Sequence, residues 1–232
     1  MNTRFKSLIC VLAAAFVTSN RVVVGAQAQL LLTGSYLGTG PWTGADGEWL
    51  ALDHMDDGAV LRTVTARAKR EKPICGEDGF KVSATGAATG TFLMRGIPNL
   101  RPGPVRTVFS GPRYIAPGGS LSSDDGSGWS LKAEGIVRPN LNAGRGETRT
   151  TRYRLSIERG GIKATVFTMT AISNDGPPQI IWVGYLDGDD IPDVLADVPG
   201  HWPGHDYTLF LSSSAVIGEL IGKTATVSTV GC

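Results

Sequence analysis

Lysine and arginine are absent from one long part of this chain, the interval between Lys163 and Lys223. The basic residues are concentrated before it, so the two parts should attract each other, or the acidic part should attract a cation. Such asymmetry informs about partners and not about the fold. The interval contains eight acidic residues: Asp175, Asp187, Asp189, Asp190, Asp193, Asp197, Asp206 and Glu219.

The sequence also lacks an apolar run of the about 20 residues that a membrane-spanning helix needs. Its start instead combines basic Arg4 and Lys6 with a short apolar run, 8–17, and a small-x-small pattern that ends at Ala28. These features predict a secretory signal peptide at residues 1–28, cleaved after Ala28 or Ala26. We therefore expect a secreted or periplasmic protein with no membrane span after cleavage.

Cleavage would change the charge balance of the chain. The predicted signal removes three of the 22 basic residues and none of the 21 acidic ones, which leaves 19 against 21 and a net charge of −2. No basic field then remains to attract nucleic acid or anionic lipid, so neither is expected as a partner.

Cysteine is scarce, with three residues in the chain. Cys10 lies in the predicted signal, and Cys75 and Cys232 remain as an even pair in an oxidising compartment. This pattern predicts a Cys75–Cys232 disulfide, with two free thiols as the alternative. Loop-closure entropy over so long a loop would stabilise the fold by about 4–5 kcal/mol.

Long segments of helical period are missing as well. Short apolar or alternating runs separated by Gly, Pro, Asn and Asp predict an all-β chain, an antiparallel β-sandwich or barrel-like single domain over residues 29–232. A soft internal boundary falls at 173–179, and only 212–223 indicates a helical turn or two. The predicted strands are 29–37, 48–54, 59–69, 89–97, 105–110, 129–137, 151–158, 163–172, 179–186, 206–213 and 224–230.

The clearest hairpin signal is Arg159-Gly160-Gly161, which lies between two strongly alternating runs. Glycine adopts positive φ without steric cost, and tight reversals between strands need that conformation. We therefore expect the flanking runs to pair through this turn.

Catalytic signatures are also lacking: the sequence contains no G-x-S-x-G elbow, no phosphate-binding loop and no dinucleotide fingerprint. His201 and His205 are four residues apart, but Pro203 and Gly204 between them exclude a shared helical face. His54 stands among acidic residues, and sequence spacing does not decide whether the three histidines share a pocket. A metal-dependent hydrolase that uses His201, His205 and the acidic loop is therefore kept as an alternative.

What the acidic interval does contain is a closely spaced set of carboxylates. Asp187, Asp189 and Asp193 follow the predicted strand 179–186, and Gly188 lets the backbone curl. Carboxylate oxygens at this spacing are the ligands that Ca²⁺ prefers. A solvated acidic turn that holds no ion is the alternative.

The stretch YLDGDDIPDVLAD resembles the Asp-rich loop of FG-GAP/VCBS (integrin α-like) repeats, usually written D-x-D-G-D-G-x-x-D. The three aspartates and Gly188 match that pattern, whereas Tyr185 occupies the first Asp position and Asp190 the second Gly position. The resemblance implies one Ca²⁺ held by Asp187, Asp189 and Asp193, with Asp190 as a further candidate ligand. Loss of the first carboxylate implies weakened affinity, in the range of about 10⁻⁴–10⁻³ M of extracellular modules.

The resemblance covers about twenty residues, and a single copy excludes a propeller of four or more blades. The C-terminal part as a whole is similar to secreted bacterial proteins that carry one such loop and have no assigned activity. We therefore expect a non-enzymatic binding or interaction module for a protein or glycan partner. A periplasmic inhibitor or immunity-type protein is a further alternative, because the acidic face would suit a basic target.

Overall fold

The computed structural model describes residues 27–37, 44–55, 58–74, 77–123, 126–140, 148–172, 176–199 and 204–230. Within these ranges it contains sixteen strands and one short 3₁₀ helix, Ser212–Ser214. The strands are β1 (Gln29–Leu32), β2 (Gly34–Leu37), β3 (Gly47–Met55), β4 (Gly58–Ile74), β5 (Glu77–Ala84), β6 (Phe92–Arg95), β7 (Gly103–Val105), β8 (Thr107–Arg113), β9 (Ser120–Ser122), β10 (Trp129–Pro139), β11 (Thr148–Arg159), β12 (Ile162–Ala171), β13 (Gln179–Gly184), β14 (Asp193–Asp197), β15 (Gly204–Leu211) and β16 (Gly222–Val230).

The strands form three antiparallel sheets, which confirms the predicted all-β, sandwich-like class. The first sheet has the order β1-β6-β3-β4-β5-β2, with β7 also paired to β4. The second has the order β12-β11-β10-β9, and the third has the order β16-β15-β14-β13-β8. No helix among the residues described is long and apolar enough to cross a membrane.

The third sheet is the middle layer of the structure. On one face, Trp182 and Leu195 pack into a hydrophobic core with the first sheet. On the other face, Val183 and Val194 pack into a second core with Leu131 and other residues of the second sheet. All five residues of β14 are buried. A sheet covered on both faces needs apolar residues at successive positions, which explains the continuous runs IIWV and VLA.

The hairpin predicted at Gly160 and Gly161 is confirmed. The two residues have φ of 55° and 83°, the left-handed conformation, and join β11 to β12. The pairing of Arg159 with Ile162 closes the turn. Glycine is needed here because other residues enter this region only with strain.

Strand prediction was less complete elsewhere. The run predicted at 29–37 is divided into β1 and β2, and the helical turn predicted within 212–223 is limited to the 3₁₀ helix. Three strands were missed, namely β5, β9 and β14. The first two are rich in Gly, Ser and charged residues, and β14 begins inside the Asp-rich segment that we interpreted as a loop.

Several predictions fall on residues outside the described ranges. They concern the signal peptide (apart from Gln27 and Ala28), both members of the Cys75–Cys232 pair, His201, and residues 173–175 of the soft boundary. The signal peptide, the disulfide and the single-domain organisation therefore stay predictions.

Candidate functional site

The Asp-rich segment connects β13 to β14 and folds against the start of the 3₁₀ helix. We call the set formed by Asp187, Asp189, Asp193 and Ser212 the acidic clasp. All three aspartates predicted from the sequence are hydrogen-bonded to Ser212, so the structure brings them together. It also adds Ser212, which the sequence interpretation did not identify.

Asp193 is the buried member of the acidic clasp, with a side chain that is 0 % exposed. Its Oδ2 accepts hydrogen bonds from the backbone N–H of Leu186 at 2.6 Å and of Asp187 at 3.4 Å. Its Oδ1 accepts one from the backbone N–H of Ser212 at 3.0 Å. The Asp193 carboxyl thus ties the β13–β14 connection to the end of β15.

Two opposing influences act on the pKa of Asp193. Burial disfavours the charged form and the neighbouring Asp187 and Asp189 carboxylates repel it, which together raise the pKa to about 8. The backbone N–H groups of Ser212 and Leu186 lower the pKa, because they donate to the charged form. Both Asp193 oxygens face N–H donors, an arrangement that suits a carboxylate and leaves a carboxylic proton without an acceptor among them.

Asp187 and Asp189 meet at the Ser212 hydroxyl. Ser212 Oγ lies 3.0 Å from Asp187 Oδ2 and 2.5 Å from Asp189 Oδ2. A hydroxyl has one proton to donate, so at any moment it satisfies one of these two carboxylate oxygens. The Ser213 N–H also donates to Asp187 Oδ2, at 3.2 Å, whereas no second donor reaches Asp189 Oδ2 in the part of the chain that the structure describes.

No lysine or arginine of the described residues forms an ion pair with these carboxylates. Across the described ranges, every ion pair that involves a Lys or Arg joins it to an acid that precedes residue 164. Arg159 does approach the loop, but it donates to the Asp190 carbonyl oxygen at 2.7 Å and not to a carboxylate. The expected attraction between the basic and acidic parts therefore produces no ion pair at the clasp.

The same ranges contain no group of three or more His, Cys, Asp and Glu side chains that could hold a metal ion as they stand. Both oxygens of Asp193 already accept hydrogen bonds from backbone N–H groups, so this carboxylate is not free to bind a metal ion. Asp187 and Asp189 remain as the two carboxylates whose Oδ2 atoms share one proton. Any ion here would be held by these two, with hydroxyl, carbonyl or water oxygens completing its shell.

Tyr185 and Asp190, the two departures from the repeat pattern, have different surroundings. The Tyr185 side chain is buried, and its hydroxyl accepts a hydrogen bond from Trp129 Nε1 at 2.9 Å. The Arg106 guanidinium lies 3.6 Å from the centre of its ring. Tyr185 therefore anchors the loop to the second sheet, whereas Asp190 is exposed at the tip.

His205 forms the polar contact of a second small site on β15. Its Nδ1 lies 2.6 Å from Asp197 Oδ2, and Asp197 is 5 % exposed. The other Asp197 oxygen, Oδ1, is buried and has no hydrogen-bond partner among the residues that the structure describes. His201 lies outside the described residues, so of the predicted His201/His205 site the structure describes only His205 and its contact with Asp197.

His54, at the end of β3, is hydrogen-bonded to Ser110 of β8 through Nδ1 at 2.9 Å. Burial lowers the pKa of His54, and the nearby Asp53 partly offsets this effect. The Asp53 carboxylate itself pairs with Arg62 at 2.7 Å. His54 and His205 thus have separate partners, and among the described residues no carboxylate is hydrogen-bonded to His54 as a catalytic triad with Ser110 would require.

No protein-family model, no curated protein and no solved structure matches this chain. The clasp is therefore interpreted from its own geometry.

Ser212 is the functional residue that sequence reasoning missed. It lies 19 residues beyond Asp193 and 25 beyond Asp187. The only local signal is its position at the end of the apolar run of β15, in a stretch of three serines. Nothing in that pattern indicates a contact with the Asp-rich loop, because the contact depends on the pairing of β14 with β15.

Proposed function

We propose that this chain is a secreted or periplasmic, non-enzymatic binding module in which the acidic clasp takes one Ca²⁺. The observation that carries the proposal is the charge of the clasp. Three carboxylates converge on Ser212, one hydroxyl proton serves two of them, and no Lys or Arg of the described chain pairs with any of the three.

A cation would resolve the conflict at Asp193. Its raised pKa arises from burial and from the two neighbouring carboxylates, whereas its hydrogen bonds favour the charged form. A divalent ion on Asp187 and Asp189 would cancel their repulsion and let Asp193 keep its charge near neutral pH. Oxygen ligands on a flexible loop with Gly188 favour Ca²⁺ over zinc or copper, which prefer nitrogen and sulfur.

The clasp also supports the binding function. It fixes the 3₁₀ helix, and the turn that follows exposes Val216 and Ile217, which are 67 % and 106 % exposed. Exposed apolar side chains beside charged ones are typical of surfaces that contact a partner. An ion at the clasp would hold this surface in one conformation and reduce the entropy lost on binding.

The test is thermal unfolding of the mature protein in EDTA and then in excess Ca²⁺. We expect the wild type to gain stability with Ca²⁺, with an apparent affinity of about 10⁻⁴–10⁻³ M. Asp189→Asn should abolish the gain, whereas Glu48→Gln, the same loss of one negative charge at an exposed position on β3, should retain it. An identical midpoint in EDTA and in Ca²⁺ for the wild type would refute the calcium proposal.

A further inference from the structure

The far end of the β10–β11 ladder projects beyond the core of the second sheet. We call residues 136–139 of β10 and 148–152 of β11 the basic arm. All four residues of its β10 part are exposed, although the earlier part of β10 alternates between buried and exposed positions. A β-bulge after Glu134 separates the arm from the rest of the ladder, and Arg152 within it has φ of 52°.

The basic arm concentrates positive charge that the described part of the protein does not neutralise. Arg138 is paired directly opposite Arg149 across the two strands, and Arg152 is exposed nearby. None of these three arginines forms an ion pair within the described ranges. Like charges that face each other across strands destabilise a sheet, so an anionic partner would relieve a cost present in the free protein.

The arm also carries exposed apolar side chains. Ile136 is 37 % exposed and Val137 is 51 % exposed. Ile136 lies two residues before Arg138 and therefore on the same strand face, whereas Val137 lies on the opposite face, so each face of this short segment carries an exposed apolar group. A partner that fits the arm should therefore combine carboxylates with apolar side chains.

The complementary composition is found in the Asp-rich connection, which lies at the opposite end of the same ladder, and in the turn that follows the 3₁₀ helix, which this connection contacts through Ser212. We call Asp189, Asp190 and Glu219, together with Val216 and Ile217, the acidic end. All five residues are exposed. No Lys or Arg of the described chain pairs with its three carboxylates.

The two ends lie too far apart to meet within one molecule. Arg159, the ladder partner of Trp129, donates to the Asp190 carbonyl, which places the acidic end at the first residue pair of β10 and β11. Arg138 lies nine residues further along β10. At the rise of an extended strand this is about 30 Å.

We propose that the basic arm binds the acidic end of a second copy of this chain, in a head-to-tail contact. Arg138 and Arg149 would face Asp190 and Glu219, and Ile136, on the same strand face as Arg138, would pack against Val216 and Ile217. Such a contact joins two different surfaces, so it continues from copy to copy unless a ring closes. The proposal specifies the partner of the binding function proposed above, and it does not require the calcium ion.

A second copy fits better than a lipid surface. The arm has three arginines, whereas the predicted mature chain has a net charge of −2, so the molecule as a whole is repelled by anionic membranes. The acidic end matches the arm in its three carboxylates and its two exposed apolar side chains. A lipid partner remains a defined outcome of the test.

The experiment is sedimentation velocity of the mature protein over a concentration series at two salt levels. At low ionic strength, about 20 mM, we expect the average mass to rise with concentration and to pass beyond the dimer. At about 0.5 M salt the protein should become monomeric, because screening removes the charge attraction. Repeating the series in EDTA and in Ca²⁺ separates this result from the calcium proposal.

Charge reversal provides the specific test. Arg149→Glu and Asp190→Arg should each weaken self-association by about tenfold, and a mixture of the two variants should associate again. In such a mixture the intact arm of the Asp190→Arg chain meets the intact acidic end of the Arg149→Glu chain. Arg67→Glu, the same charge change at an exposed site on β4, is the control and should associate like the wild type.

Three results would overturn the proposal. The first is a protein that stays monomeric at low salt, and the second is association that Arg149→Glu leaves unchanged. The third is a monomer that sediments with vesicles containing anionic phosphatidylglycerol and loses that binding in Arg149→Glu, which would assign the arm to a lipid surface. Circular dichroism of each variant verifies that it is folded before it is compared.

Discussion

The acidic clasp and the basic arm are both rich in charge, and they lie at opposite ends of one ladder. In the clasp, each oxygen of the three aspartates accepts a hydrogen bond from the backbone or from Ser212. In the arm, Arg138 faces Arg149, and neither has an ion-pair partner among the residues described. The first set of charges is used to shape the fold, and the second is available to a partner.

The difference follows from what surrounds each region. The clasp lies where the middle sheet meets two connections, so backbone N–H groups point at its carboxylates, and an unpaired oxygen on the buried Asp193 would be costly. The arm extends past the core, where water solvates each guanidinium and keeps the repulsion between like charges small. Charged residues in the clasp should therefore control stability, whereas those in the arm should control association.

Asp193→Ala should give the largest effect. It leaves the buried N–H groups of Leu186 and Ser212 without their acceptor, which should lower the free energy of unfolding by about 2–4 kcal/mol. Urea denaturation measures the loss. Asp190→Ala replaces an exposed aspartate in the same connection and should change the free energy of unfolding by less than about 0.5 kcal/mol. Equal losses in the two variants would show that the clasp is not a structural element.

The pH dependence of stability tests the same carboxyl without removing it. Burial and the neighbouring carboxylates raise the pKa of Asp193 to about 8, so the folded state holds this proton more tightly than the unfolded state. The stabilising contribution is therefore complete below about pH 4, near the ordinary pKa of an aspartate, and is lost as the pH rises through about 8. In EDTA, the free energy of unfolding should therefore fall across this window.

His54 acts in the opposite direction, because burial lowers its pKa and the stability that it contributes therefore rises with pH. The measurement is therefore best made in a His54→Gln background. Bound Ca²⁺ should flatten the slope by relieving the repulsion at Asp193. A free energy of unfolding that stays constant from pH 4 to pH 8 in EDTA would contradict the assignment of the buried proton.

Arg149→Glu should have the smallest effect on stability, and of opposite sign. The new carboxylate would face Arg138 and replace a repulsive cross-strand pair with an attractive one, a gain of about 0.2–1 kcal/mol. Urea denaturation of dilute protein at high salt, where self-association is suppressed, measures this gain. Because salt also screens the attraction between Arg138 and the new carboxylate, the measured value is a lower limit. A clear loss of stability would mean that Arg149 has a structural role after all.

The sequence was sufficient for the local features of this fold. Alternation in β11 and the Gly160-Gly161 turn correctly predicted a hairpin, because strand period and turn conformation depend on neighbouring residues. The spacing of Asp187, Asp189 and Asp193 likewise indicated a loop that gathers carboxylates. These features need no information about distant parts of the chain.

The sequence did not predict features that depend on contacts between segments far apart in the chain. Asp193 was interpreted as a loop ligand, whereas in the structure it begins the fully buried strand β14 and accepts backbone hydrogen bonds. The role of Ser212 depends on the register of β14 with β15, which no local pattern contains. The burial of β13–β15 on both faces likewise depends on two outer sheets that precede most of this layer in the chain.

That order has a consequence for how the protein is made. Both outer sheets are complete by Ala171, whereas four of the five strands of the middle layer come later in the chain. During synthesis, two apolar faces therefore emerge from the ribosome well before the layer that covers them both. Until β13–β16 follow, both apolar faces lack the layer that covers them, and the nascent chain is exposed to aggregation.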